Sequence, residues 1–212
     1  MVRSDIYDFL KTIPNNIVLV AATKYVQSDD MVTLLENGVS NFGENRVDDF
    51  LDKYQNLSGY PITWHFIGHL QRNKALKVIN KIDYLHSLDS LELAQLINSH
   101  RKTPLPCFIE VSVNHEISKN GVPYEEVSNF IKSILPLPNI KLVGLMMMAI
   151  KSSDDGSLKD QFHRLRILRD EMAKKYNISL PYLSMGMSED YQEAISEGAT
   201  HIRLGRILFD EL

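Results

Sequence analysis

Short apolar, β-branched runs alternate with longer segments of helical period along this 212-residue chain, and that alternation restricts the fold more than any other feature. Candidate strands cover 17–23, 41–43, 63–68, 84–88, 106–112, 142–148, 181–185 and 201–205. Strand–helix units of about 20–30 residues imply right-handed crossovers and a parallel sheet. Eight such units can close into a TIM-type (β/α)8 barrel, an α/β fold. An open doubly wound sheet is the alternative, because alternation alone does not specify closure. A barrel usually needs about 250 residues, so its loops would be trimmed here.

Helix signals fill the intervals. Val127, Phe130, Ile131 and Ile134 form one apolar stripe, with Pro123 near its first turn, and Leu158, Phe162, Leu165, Leu168 and Met172 form another. Ser28 before Met31, Val32, Leu34 and Leu35 reads as an N-cap, with Gly38 as the matching stop. Ser90 before Leu91, Ala94 and Ile97 repeats the arrangement. The loop signals at 136–138 and 152–156 fall inside the repeat and no low-complexity linker divides it, so residues 1–212 are expected to form one domain.

Composition narrows the setting. With 44% hydrophobic and 24% charged residues the chain suits one globular core. The net charge is −4 and the charges are interspersed, which argues against a nucleic-acid surface and a polybasic membrane patch. Cys107 is the single cysteine, so no intrachain disulfide can form, which fits a reducing cytoplasm. The start, Met-Val-Arg-Ser-Asp-Ile-Tyr-Asp, reads as neither signal peptide nor anchor, and no stretch approaches the roughly 18 apolar residues of a span. A soluble, cytoplasmic monomer is expected, since heptads are lacking as well.

In a parallel barrel, chemistry sits at the C-terminal ends of the strands. Lys24 follows the first strand. It reads either as a solvated loop charge or as an amine held against the apolar wall 18–22, where desolvation would expose a nucleophilic lone pair. The next strand ends carry Glu44-Asn45, whose default role is helix capping, and His65 with His69. No nearby Cys, Asp or Glu completes a ligand set around those histidines, so no metal is expected and a stacking or hydrogen-bonding imidazole is preferred. Ser184-Met185-Gly186-Met187-Ser188 precedes a helix, and Arg203-Leu204-Gly205-Arg206 closes the last strand. Two glycine-bearing turns at these places suit a phosphate, although Ser188 could equally serve only as a cap. Arg203 shares a strand face with Gly205, and an inward guanidinium there needs an acceptor.

These residues, taken in order, resemble the pyridoxal 5′-phosphate (PLP) homeostasis proteins of the YggS/PROSC type. The resemblance covers nearly the whole chain. It is carried by Ala22-Thr23-Lys24, Phe42-Gly43-Glu44-Asn45, Trp64-His65-Phe66-Ile67-Gly68 with Leu70-Gln71 and Asn73-Lys74, His86-Ser87 with Asp89, and Glu116 with Lys119 and Gly121. Gly144-Leu145-Met146, the run 183–188 with Asp190, and Arg203 with Gly205 complete it. It implies a barrel like the N-terminal domain of alanine racemase, with PLP as a Schiff base on Lys24. It further implies a phosphate on Ser188 and Gly205-Arg206, Arg203 facing the pyridine nitrogen, Asn45 near the ring, and His65 and Met187 as pocket walls. Three positions depart from the family pattern: Ser112 for a common asparagine, Arg206 for a small hydroxyl residue, and Asp210 for a frequent glycine.

The resemblance implies a role in intracellular PLP (vitamin B6) and amino-acid homeostasis, with PLP-dependent client enzymes as possible partners. An arginine at the ring nitrogen should keep it unprotonated and weaken the electron sink, so a carrier is expected rather than a catalyst. No β domain follows the barrel in this sequence, so a site open on one side is expected. The alternatives are a small PLP-dependent racemase, with Tyr25 or Tyr191 as the opposing acid–base group, a Schiff-base aldolase, and an interaction protein with an incidental lysine.

Overall fold

Each apolar run forms a parallel strand: β1 (Val18–Ala22), β2 (Asn41–Glu44), β3 (Thr63–Phe66), β4 (Tyr84–Leu88), β5 (Leu105–Ser112), β6 (Ile140–Met146), β7 (Tyr182–Ser184) and β8 (His201–Leu204). The computed structural model describes residues 1–113, 120–150 and 157–210. Glu116, Lys119 and the loop signal at 152–156 lie outside the described residues. Around the sheet the order is β4, β3, β2, β1, β8, β7, β6, β5, and β4 also pairs with β5. The sheet is therefore a closed barrel, not an open doubly wound one. A two-residue strand, Val122–Pro123, adds to β5 outside the ring.

Between the strands run α2 (Ser28–Glu36), α3 (Val47–Asn56), α4 (Arg72–Ala75), α5 (Leu91–His100), α6 (Val127–Ile134), α7 (Leu158–Tyr176) and α8 (Tyr191–Ser196), while α1 (Ile6–Lys11) precedes the barrel. The longest, α7, starts with a full capping box between Ser157 and Asp160 and stops at Asn177 in the left-handed region. Ser28 is not a cap as the sequence pattern suggests. It is the first helical residue, after Gln27, and Asp29 and Asp30 supply the negative charge its first turn favours. Ser90 does hold the N-cap position of α5, without a side-chain capping bond, and Gly38 has φ +91 just beyond α2. Several predicted strands run past the observed ends, at 67–68, 147–148, 185 and 205. Those residues lie at the rim, where Ile67, Met147 and Met185 still donate backbone hydrogen bonds to neighbouring strands.

Strand alternation sorts the side chains into two layers. Phe42, Phe66, Leu85, Ile109, Leu183 and Ile202 pack outward into the large core beneath the helices. Phe108, Val143 and Met146 form a separate small cluster with Tyr84 and Tyr182 inside the barrel. The lumen is shared with buried His65, His86, His201 and Arg203. Among the described residues, no helix is long and apolar enough to cross a membrane.

Gly144 allows β6 and β7 to meet. It pairs with Tyr182, and a β-carbon there would lie 2.0 Å from the Tyr182 carbonyl oxygen. Backbone cannot yield as a flexible side chain can, so Gly144→Ala is expected to lower stability by about 3 kcal/mol. Chemical denaturation against the parent protein measures it, and an unchanged midpoint would refute the close-approach account.

Candidate functional site at the barrel rim

Lys24 leaves the barrel two residues after β1, and its anchorage is unusual. The Thr23 N–H donates to the Gly43 carbonyl at 3.1 Å, and the Thr23 carbonyl accepts from Lys53 Nζ at 2.5 Å. Lys53 comes from α3 and also binds Glu44 Oε1 at 2.6 Å, while the Thr23 hydroxyl donates to the same oxygen. Glu44 is wholly buried and Lys53 nearly so. A buried ion pair thus clamps the peptide that precedes Lys24. Such a pair holds only while both charges are present, because either one alone is an uncompensated buried ion.

Lys24 itself is half-buried, with Nζ 4.5 Å from the centroid of the Tyr25 ring. The exposed Tyr25 hydroxyl is held below its ordinary range, first by hydrogen bonding with Lys24 and further by that cation and Arg46. Lys24 lines a cavity of about 420 Å³ together with Met187, Ser188, Arg203, Gly205 and Arg206. Ala22, Tyr25, Ala149, Glu189 and Asp190 complete the wall. Of these, Ala149 and Glu189 are not residues the sequence singles out, and Asp190 enters there only through the family resemblance.

The two glycine turns are joined to each other. Ser188 Oγ accepts from the N–H of Gly205 at 3.2 Å and of Ile207 at 3.5 Å. It therefore ties the β7 loop to the β8 loop, and the N-cap of α8 is Asp190 instead. Gly186 has φ +94, and a β-carbon there would meet Ala194 at 2.7 Å, so this turn packs directly on α8. At the outer rim Arg206 Nη2 reaches Glu189 Oε1 at 2.6 Å, both side chains being well exposed.

Arg203 enters from the lumen. Its Nη1 donates to Ser184 Oγ at 2.7 Å and its Nη2 to the Met147 carbonyl at 2.9 Å. Burial pushes its pKa down to about 10, against the opposing pull of Glu110 and Asp190. Glu110 is itself raised by burial, with Asp89 adding to the shift.

Asn45 and His65 are not on the cavity wall. Asn45 follows the end of β2, where Gly68 packs so closely that a β-carbon would clash with the Asn45 carbonyl oxygen. Its Oδ1 is buried without a hydrogen-bond partner among the described residues. His65 lies inside the barrel, stacked on Tyr84 with centroids 4.7 Å apart and bonded to His86 and Asn41. The sequence pairing of His65 with His69 does not form. His69 is instead on the surface, 3.0 Å from Asp89, and among the described residues no cluster of potential ligands could hold a metal.

Parallel barrel, strand-end lysine and paired glycine turns define a fold of the alanine racemase N-terminal type, and the family model for the alanine racemase N-terminal domain matches residues 17–211. The alanine racemase of Clostridium difficile 630 superimposes with a TM-score of 0.79 over 98% of this chain and 57% of that one; at 16% identity this likeness concerns the fold alone. The chain belongs to the pyridoxal phosphate homeostasis protein family. It is 40% identical to the family member of Aquifex aeolicus (strain VF5) over 196 residues, 91% of this chain and 86% of that protein. The Homo sapiens member is 38% identical over 210 residues, covering 91% and 76%. PipY of Synechococcus elongatus PCC7942, solved with PLP bound, superimposes with a TM-score of 0.88 at 29% identity over 96% and 99% of the two chains.

Two outcomes follow from this geometry. Lys53→Met should cost about 3–5 kcal/mol by stranding the buried Glu44 charge, whereas adding Glu44→Gln should restore most of that loss. A thermodynamic cycle by urea unfolding checks it, and simple additivity would contradict the clamp. The second concerns acid. Burial pulls His65 down to about 3 and His201 to about 4, with His86 also well below 6.5. The unfolded chain binds protons near 6.5 that the folded one refuses, so these groups are neutral to stability above that pH and erode it below. The loss should approach about 4 kcal/mol per pH unit near pH 5. Unfolding midpoints measured across this range test the sign; a flat profile would exclude buried neutral rings.

Proposed function

We propose that this protein is a cytoplasmic, monomeric carrier of pyridoxal 5′-phosphate, held as a Schiff base on Lys24, that serves intracellular PLP and amino-acid homeostasis and supplies PLP-dependent client enzymes. The observation that carries the reading is the single cavity in which the ends of β1, β7 and β8 bring Lys24, Ser188, Arg203 and Gly205 together. Its volume of about 420 Å³ suits a small cofactor. Asn45, at the end of β2, adds a buried Oδ1 that has no hydrogen-bond partner among the described residues. The PLP bound to PipY and the names of the relatives support the same assignment.

In this reading Ser188 and the backbone of Gly205 and Arg206 hold the phosphate, and the Arg206 guanidinium adds a cation in place of the small hydroxyl residue common in the family. Asn45 and Met187 border the ring. PLP, when bound, supplies an electron-withdrawing ring for chemistry at amines. Arg203 presents N–H donors to the ring nitrogen and so withholds a proton from it, which weakens that ring as an electron sink. Lys24 binds and releases, oriented by the clamped Thr23 peptide. A second reading, a small racemase-like enzyme, rests on Tyr25, which lines the cavity beside Lys24 with a lowered pKa.

Purified protein loaded with PLP is expected to show a visible absorption band that borohydride removes, with the added mass confined to the peptide carrying Lys24. Lys24→Ala should abolish both signals. A mass adduct at any other residue overturns the assignment, and saturable amino-acid racemisation lost in Lys24→Ala would replace the carrier reading with the enzymatic one.

A further inference from the structure

Five polar side chains from five strands join end to end down the barrel lumen. Arg203 Nη1 lies 2.7 Å from Ser184 Oγ, Ser184 Oγ 2.8 Å from His86 Nδ1, His86 Nε2 2.9 Å from His65 Nδ1, and His65 Nε2 3.0 Å from Asn41 Oδ1. Arg203 lines the cavity, whereas Asn41 lines a separate hollow at the opposite end of the barrel. The two histidines and Ser184 between these ends are fully buried.

The chemistry of the end groups settles every proton between them. A guanidinium can only donate, so Ser184 Oγ accepts from Arg203; its own proton goes to His86 Nδ1 because the Asn41 carbonyl oxygen at the far end can only accept and so sets the direction of every link. That nitrogen is then a lone pair, and the His86 proton sits on Nε2, from which it is donated to His65 Nδ1. His65 in turn carries its proton on Nε2 and donates to the Asn41 carbonyl oxygen, which can only accept. Reversing any link sets two lone pairs or two protons against each other. Protonating either ring would also place a buried cation near Arg203 and His201. Burial keeps both imidazoles neutral.

We propose that this one-way chain is a positioning device for Arg203: Ser184, His86 and His65 hold its guanidinium in one orientation and keep it a donor toward the cavity. This rests on the reading that Arg203 faces the cofactor ring nitrogen. Each bond in the chain turns its electron-rich end toward Arg203, so the aligned dipoles stabilise a cation that is buried in the lumen. The groups facing the chain are Tyr84, stacked on His65, Phe108, stacked on His86, and His201, within 6.3 Å of both rings. On the Arg203 side the opposing charges are Glu110 and Asp190. His65 thus acts beneath the pocket, not on its wall.

Long-range 1H–15N spectra of the histidines, recorded without and with PLP, test the chain directly. His65 and His86 should both show the neutral tautomer protonated on Nε2, unchanged down to about pH 5. A proton on His86 Nδ1, or titration of either ring in that range, overturns the proposal. The positioning is read from the Arg203 side-chain N–H signals, which should be sharp and slow to exchange in the parent and in Ser184→Thr, and broadened in Ser184→Ala. PLP should bind Ser184→Ala about tenfold more weakly and with an altered pH dependence of the visible band, while Ser184→Thr binds as the parent does. Unaltered Arg203 signals in a folded Ser184→Ala sink the device. If PLP binds none of these proteins, the cofactor reading fails, and the tautomers and Arg203 signals still decide the chain.

Discussion

Closure of the sheet depends on the ladder between β4 and β5, where Leu85 opposes Cys107 and Leu88 opposes Ile109 with a register irregularity between them. All eight strands are parallel, so closing the ring places every C-terminal strand end on one rim. That is what brings residues as distant in sequence as Lys24, Ser188 and Arg203 to one cavity. An open sheet of the same strands would face solvent along two unpaired edges and would have no lumen. The irregularity falls where His86 and Ser87 turn their side chains to the lumen and to the Gly68 carbonyl. The place where the barrel adjusts its register is therefore also a place where it stores polar groups.

Those groups give the lumen a character that the outer core lacks. Beneath the helices, packing is aliphatic and aromatic, and a large continuous cluster results. Inside, only Phe108, Val143 and Met146 form an apolar cluster, and the rest of the volume goes to rings and polar side chains. Burying a polar group without a partner costs on the order of 2 kcal/mol or more, so such a lumen persists only if its hydrogen bonds are nearly complete. His65 and His86 meet the condition by staying neutral, which lets each ring donate on one side and accept on the other. Cations could not do both. Among the described residues the buried side-chain atoms without a hydrogen-bond partner are Glu44 Oε2 and Asn45 Oδ1 at the end of β2 and Arg166 Nε on α7, none of them in the lumen chain.

The strands were legible because a parallel barrel buries both faces of its sheet and so writes short apolar runs into the chain. Tyr84–Leu88 matches residue for residue. Helices with a clean stripe, such as α6 and α7, were legible for the same reason. α3 was not, since charged and polar residues dominate Val47–Asn56 and only Val47, Phe50 and the stem of Lys53 are buried. That hid Lys53 as well: nothing in Asp-Lys-Tyr indicates a lysine that reaches a strand end nine residues back. The two glycine turns were readable from glycine and strand position, yet the hydroxyl of Ser188 bridging both loops needed the closed barrel to appear. His65 was readable as a strand-end residue but not as one facing inward, because period-two alternation gives the face only once the register is known.

The rim itself is built of parts with opposite mechanical properties. On one side the peptide before Lys24 is fixed by a buried ion pair with contacts of 2.5–2.6 Å, and Arg203 is fixed from below by Ser184 and Met147. On the other side Arg206 and Glu189 form a pair whose side chains are 69% and 48% exposed, so salt and solvent screen it and it contributes about 1 kcal/mol at most. An anion entering between the glycine turns competes with Glu189 for Arg206 at little cost, whereas moving Lys24 or Arg203 would require breaking buried charge contacts. A firm floor under a loose outer rim suits a site that must bind in one defined orientation and yet release. Efficient catalysis would ask for the reverse at the rim, a closed wall that excludes water and adds a rigid second acid–base group. Tyr25, the wall residue with the chemistry for that role, is instead 67% exposed.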